Sequence, residues 1–162
     1  MNKLGNVTKK LLILCGILCI ISVLFVVVNF ILQKNAVENS DNGWDALGLL
    51  IIFICYSLPF SVVNLGLAVL SFITSKRLKK SLENGEKFNL SYAIAFLILT
   101  AISGVGLGLQ SFMAVYFEPV SITIGVMQFA IGIITLVYAV KNKKTLEKNA
   151  EENAPLETLQ DK

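Results

Sequence analysis

The chain has no histidine, and only three cysteines and three prolines among 162 residues. Without histidine there is no imidazole to ligate haem or zinc, or to titrate near neutral pH. Cys15, Cys19 and Cys55 all fall in apolar stretches, so no disulfide framework is implied. Cys15 and Cys19 share a helical face but have no third ligand nearby, and they read as small packing residues. Charge is missing over long stretches: no Asp, Glu, Lys or Arg lies between Leu11 and Leu32, Ala46 and Ser75, Leu90 and Phe117, or Pro119 and Val140. The groups that usually mark proton relays, ion coupling and membrane catalysis are therefore absent from these blocks.

What is present is apolar. The hydrophobic fraction is 55%, charged residues make up 15%, and the mean hydropathy is +0.72, well outside soluble composition. A helix crosses a hydrocarbon core of about 30 Å with about 20 apolar residues, and each uncharged block reaches that length. The predicted fold is all-α: four transmembrane helices in a compact left-handed bundle, with spans near 11–32, 53–75, 91–113 and 120–140. A short N-terminal segment, 1–10, and a charged tail, 141–162, flank the bundle. The first block exceeds the apolar core of a signal peptide, about 7 to 15 residues, and no small-x-small cleavage site follows it, so it reads as a retained span.

Basic residues set the orientation. Lys3, Lys9 and Lys10, the cluster Lys76, Arg77, Lys79, Lys80 and Lys87, and the tail lysines fall on one side of alternating spans, leaving Lys34 alone on the other. The excess places both termini and the central loop in the cytoplasm. Lys76, Arg77, Lys79, Lys80, Lys141, Lys143 and Lys144 are the candidate contacts to lipid head groups, since juxtamembrane basic residues are attracted to anionic lipid by about 1 kcal/mol each. This basic surface reads as membrane topology, with no nucleic-acid partner. The opposite side carries Glu38, Asp41, Asp45 and Glu118 and is mildly acidic.

Punctuation along the chain is sparse. Trp44 closes a polar outer loop, at the depth an indole favours. The block from Ala46 to Ser75 is longer than one crossing needs. Either the helix tilts, or Ala46 to Cys55 forms an interfacial or protruding segment before Pro59. Gly85 suits a left-handed helix cap, Asn89 or Ser91 can cap the third span, and Glu118-Pro119 marks a tight outer hairpin. After Asn149 the tail turns acidic, and its composition predicts loss of order. A faint repeat is visible: a shift of 64 residues lays Lys79-Lys80-Ser81-Leu82-Glu83 on Lys143-Lys144-Thr145-Leu146-Glu147, Asn64 on Gln128, and Ser71 on Thr135. Duplication of a two-helix hairpin explains this, as does convergence of two similar membrane exits.

Small and polar residues recur in steps of four and three. Cys15, Cys19, Ser22, Asn29 and Gln33 follow the pattern in the first span, with Val26 filling one place. Ser57, Ser61, Asn64, Ala68, Ser71 and Ser75 follow it in the second, and Ser121, Gly125, Gln128, Gly132, Thr135 and Ala139 in the fourth. The third fits less well, with Ala93, Thr100, Gly104 and Ser111 interrupted by Leu97 and Leu107. Such a period is that of left-handed packing, and small faces allow close approach in lipid. Asn64, Gln128, Ser57, Ser61, Ser71 and Thr135 are the candidate intramembrane polar contacts. Gly104, Gly108, Gly125 and Gly132 are the candidate packing glycines. An unpaired amide in hydrocarbon costs several kcal/mol, so Asn64 and Gln128 each need a partner.

Catalytic, cofactor-binding and metal-binding residues are not identified. The small four-span multidrug exporters need a carboxylate in their first span, the four-span disulfide enzymes need Cys-x-x-Cys, and tetraspanins and claudins need cysteine-bearing outer loops; this chain has none of these. The sequence thus points to a non-enzymatic multi-pass membrane protein of accessory, scaffold or interaction type, whose partners are the bilayer and a protein partner or its own copies. The alternatives are a small homo-oligomeric channel or carrier lined by Asn64, Gln128, Ser57 and Thr135, and a holin-like or immunity protein.

Overall fold

The computed structural model describes residues 2–38, 43–85, 87–113 and 118–157, and every secondary-structure element among them is helical. The helices are α1 (Asn2–Glu38), α2 (Gly43–Ile52), α3 (Leu58–Asn84), α4 (Leu90–Met113) and α5 (Glu118–Glu157), with a π-helical turn, Phe53–Ser57, between α2 and α3. Residues 1, 39–42, 86, 114–117 and 158–162 and the side chains of Trp44, Ser111 and Glu118 lie outside what is described, and with them the expected hairpin ahead of Pro119.

Four helical stretches are long and apolar enough to cross a membrane: Lys3–Asn35, Ala46–Asn84, Leu90–Gly108 and Pro119–Lys148. Most overrun the uncharged blocks because the flanking polar residues are also helix formers, and nothing between Lys76 and Asn84 or between Lys141 and Lys148 breaks a helix. α5 continues past Asn149 to Glu157, where composition led us to expect order to end. Earlier in α5 a Lys143–Glu147 pair at 3.8 Å adds an i,i+4 contact.

The second stretch is continuous from Ala46 to Asn84. α2 runs into α3 through the π turn, where the Leu58 amide donates to the Phe53 carbonyl, five residues back. Pro59 explains the position. It has no N–H, and its ring would collide with the carbonyl four residues earlier, at Cys55; widening the preceding turn relieves both. The Phe30 ring packs against Phe53 with centroids 4.0 Å apart and ties the turn to α1.

The helices contact in a ring, α1 to α3, α3 to α4, α4 to α5 and α5 to α1. α3 ends on Gly85 in the left-handed region (φ 67°), a conformation open to glycine without a Cβ clash. The connection then turns into α4, where the Asn89 side-chain oxygen accepts the Ser91 amide at 2.9 Å. Leu82 and Tyr138 pack on Gly5, and Asn142 Oδ1 accepts the Phe88 amide at 3.0 Å. These contacts gather the start of α1, the end of α3, the start of α4 and the middle of α5, at Tyr138 and Asn142, at one end of the bundle, where the lysines are.

Burial is inverted relative to a water-soluble protein. Val126, Val105 and Val62 are more than 60% exposed, and isoleucine, leucine and valine cover the outside of all the helices. Ser22, Asn64, Ser71, Thr100, Ser103, Gln128 and Thr135 are buried. The apolar residues Leu12, Leu67, Phe96 and Tyr138 fill the space between them.

Candidate functional site

Four helices each send one side chain to the middle of the bundle: Cys19 from α1, Asn64 from α3, Ser103 from α4 and Gln128 from α5. All four are buried, at 2% exposure or less. Ser103 Oγ lies 2.7 Å from Asn64 Oδ1 and 2.7 Å from Gln128 Oε1. Gln128 Nε2 lies 3.3 Å from Cys19 Sγ and 3.5 Å from Asn64 Oδ1. Asn64 Nδ2 donates to the Phe60 carbonyl at 3.0 Å, one turn back on its own helix.

Proton counting orients the cluster. Ser103 has one hydroxyl proton and cannot donate to two carbonyl oxygens. Because the Asn64 nitrogen is committed to Phe60, its oxygen is the acceptor, and two donors are within its reach, the Ser103 hydroxyl and Gln128 Nε2. Gln128 Nε2, with two protons, donates to Cys19 Sγ and reaches Asn64 Oδ1, which leaves the Ser103 proton for Gln128 Oε1. The result is a connected chain of hydrogen bonds through Cys19, Gln128, Ser103 and Asn64 to the Phe60 carbonyl, linking α1, α3, α4 and α5. In a low-dielectric interior such a chain is self-reinforcing, and each missing member leaves a buried polar group exposed to its full desolvation cost.

The other candidate polar residues divide by what they touch. Ser71 Oγ donates across to the Leu12 carbonyl, and Ser75 Oγ reaches the Lys9 carbonyl at 3.4 Å, so α3 is bonded to α1 at two successive turns. Ser61 and Thr135 instead donate to carbonyls of their own helices, Ser57 and Ile131, each at 2.8 Å. The Ser57 side chain is only half-buried. The set Asn64, Gln128, Ser57 and Thr135 is thus not gathered into one lining. Among the described residues, Thr74 Oγ1 and Tyr138 Oη are buried with no hydrogen-bond partner.

Ser103 is the member that the sequence pattern missed. The buried face of α4 is Ala93, Phe96, Thr100, Ser103 and Leu107, a regular succession of threes and fours. The expected face followed small residues and was drawn toward Gly104 and Ser111. Two large apolar residues, Phe96 and Leu107, carry the true phase, and residue size concealed it.

The glycines need one correction. Gly104 and Gly125 meet backbone to backbone; a Cβ on either would come within 3.2 to 3.3 Å of the other's main chain. Gly132 lies against Thr100 and Leu97. These three bring α4 and α5 together. Gly108, however, meets no described atom within 4 Å of a Cβ position, so it does not pack as Gly104 does. Gly106 takes that role, filled against the Phe60 ring, because the buried face of α4 passes through 106 and 107 and leaves 108 to the side.

Lys76, Arg77, Lys79, Lys80, Lys141, Lys143 and Lys144 are all exposed at the basic end. Lys79 pairs with Glu83 at 3.6 Å, and Lys143 with Glu147 at 3.8 Å, the same i,i+4 geometry at positions related by the 64-residue shift. The Arg77 guanidinium stacks over the Tyr92 ring, 4.1 Å from its centroid. No group of three or more potential metal ligands occurs among the described residues. No protein-family model matches the chain, and comparison with the curated proteins and with the solved structures finds no match.

Proposed function

We propose that the chain is a four-span integral membrane protein with both termini and the Gly85 connection in the cytoplasm, acting as a non-enzymatic scaffold or accessory subunit. The observation that carries this reading is the inverted burial. An apolar exterior is costly in water and neutral in lipid, whereas a hydrogen-bonded interior gives helices a reason to associate where the hydrophobic effect does not. The basic end then faces the cytoplasm by the excess of Lys and Arg. Arg77 is the sole arginine among 14 basic residues, a lysine bias common in AT-rich bacterial genomes, and we assign the bacterial plasma membrane on that association.

Scaffolding is favoured over conduction because the amides bond to one another. A solute path through one copy requires polar groups facing water, whereas Asn64, Ser103 and Gln128 are buried and mutually satisfied. The test is flux. Purified chain in liposomes is expected to be tight to small ions and solutes; conduction that Asn64→Leu abolishes while the helical bundle persists would establish the channel or carrier reading instead.

A further inference from the structure

Beyond this general role, the basic end contains a concave site. A pocket of about 420 Å³ opens between the last turns of α3 and the start of α4, and Arg77, Lys80, Lys87, Asn89 and Tyr92 line it. No carboxylate is among the described lining residues. We propose that this pocket binds the phosphate group of an anionic lipid. The inference rests on the four-span reading and goes beyond it by naming a ligand class and a place.

Three features distinguish the pocket from ordinary basic surface. The first is preorganisation: the guanidinium of Arg77, although exposed, is stacked on the face of Tyr92, so its donors are oriented before a ligand arrives. The second is convergence. Arg77 and Lys80 come from α3 and Lys87 from the connection, so three cations from two segments face one volume beside the N-terminal end of α4, whose dipole adds to the attraction. Lys79, by contrast, is paired with Glu83 and does not line the pocket.

The third feature selects a lipid over a free phosphate. Ile73 and Val69 lie one and two turns from Arg77 toward the apolar belt, on the same face of α3, and are 42% and 59% exposed. A head group in the pocket would leave its acyl chain along this apolar track. A soluble phosphate would make no use of it.

The full chain, reconstituted first in phosphatidylcholine nanodiscs, provides the test. Failure to incorporate as a helical protein would refute the four-span reading itself. With incorporation secured, phosphatidic acid is titrated in and bound lipid is counted by native mass spectrometry. One phosphatidic acid is expected to be retained in preference to phosphatidylcholine, with Arg77→Gln weakening retention about tenfold, more than loss of one surface charge would cause. Tyr92→Leu should weaken it and Tyr92→Phe restore it, since the ring and not the hydroxyl holds the guanidinium. Lys10→Gln with Lys148→Gln removes two charges from the same end outside the pocket and should leave that retention nearly unchanged. Equal weakening by the paired lysine variant and by Arg77→Gln, or no preference for phosphatidic acid, would refute the site. Complete displacement of the lipid by millimolar inorganic phosphate would assign the pocket to a soluble anion and overturn the lipid assignment.

Discussion

Asn64 and Gln128 stand 64 positions apart in the chain and 3.5 Å apart in the fold, on α3 and α5, which face each other across the ring of helices. The Ser103 hydroxyl lies between their side-chain oxygens. Their matched depth, with the matched Lys79–Glu83 and Lys143–Glu147 pairs, is the geometry that a duplicated two-helix hairpin would produce.

Removing the bridging hydroxyl should cost more than one bond. Ser103→Ala deprives Gln128 Oε1 of its donor and Asn64 Oδ1 of one of its two, and a loss of about 1 to 2 kcal/mol is expected in denaturant titration of the micelle-bound protein. Asn64→Leu and Gln128→Leu should be non-additive, because each already breaks the chain that the other belongs to; the double variant is expected to be less damaging than the two single losses together.

The glycines separate by position. Gly125→Leu should disrupt the α4–α5 contact, since the backbone of Gly104 occupies the space a side chain needs. Gly108→Ala meets no described neighbour and should be neutral, or gain up to about 1 kcal/mol from helix propensity. Thermal unfolding of the two variants beside the parent checks the contrast.

Topology is directly measurable. Reporter fusions after Gly85 and after Glu157 should both report cytoplasm, and one placed in the loop between α1 and α2 should report the opposite side. Opposite readings for the first two would overturn the arrangement of four crossings.

The paired lysines should matter little to stability. Lys79 and Glu83 are both more than half exposed, as is Lys143, with Glu147 nearly so. Glu83→Gln and Glu147→Gln are therefore expected to shift stability by less than about 0.5 kcal/mol, with the shift vanishing at high salt.

The left-handed cap at Gly85 was legible in the sequence because glycine is the residue that reaches it without strain, and the Lys79–Glu83 and Lys143–Glu147 pairs follow from helical spacing alone. The inward face of α3, with Asn64, Ala68, Ser71 and Ser75, was legible for a related reason: in an apolar helix, the few polar positions have to find partners. The same logic failed on α4. Its partner for the amides is a single serine between Phe96 and Leu107, and nothing local distinguishes Ser103 from Ser111.

Four apolar stretches and the absence of charge within the blocks are properties of composition and spacing, and the sequence determined them unaided because each depends only on residues near one another in the chain. Which serine bridges the amides, which of Gly104, Gly106 and Gly108 touch a neighbour, and that Arg77 lies on Tyr92 were decided by the tertiary structure. These depend on the rotation and height of one helix against another, and those quantities are set by packing between residues tens of positions apart.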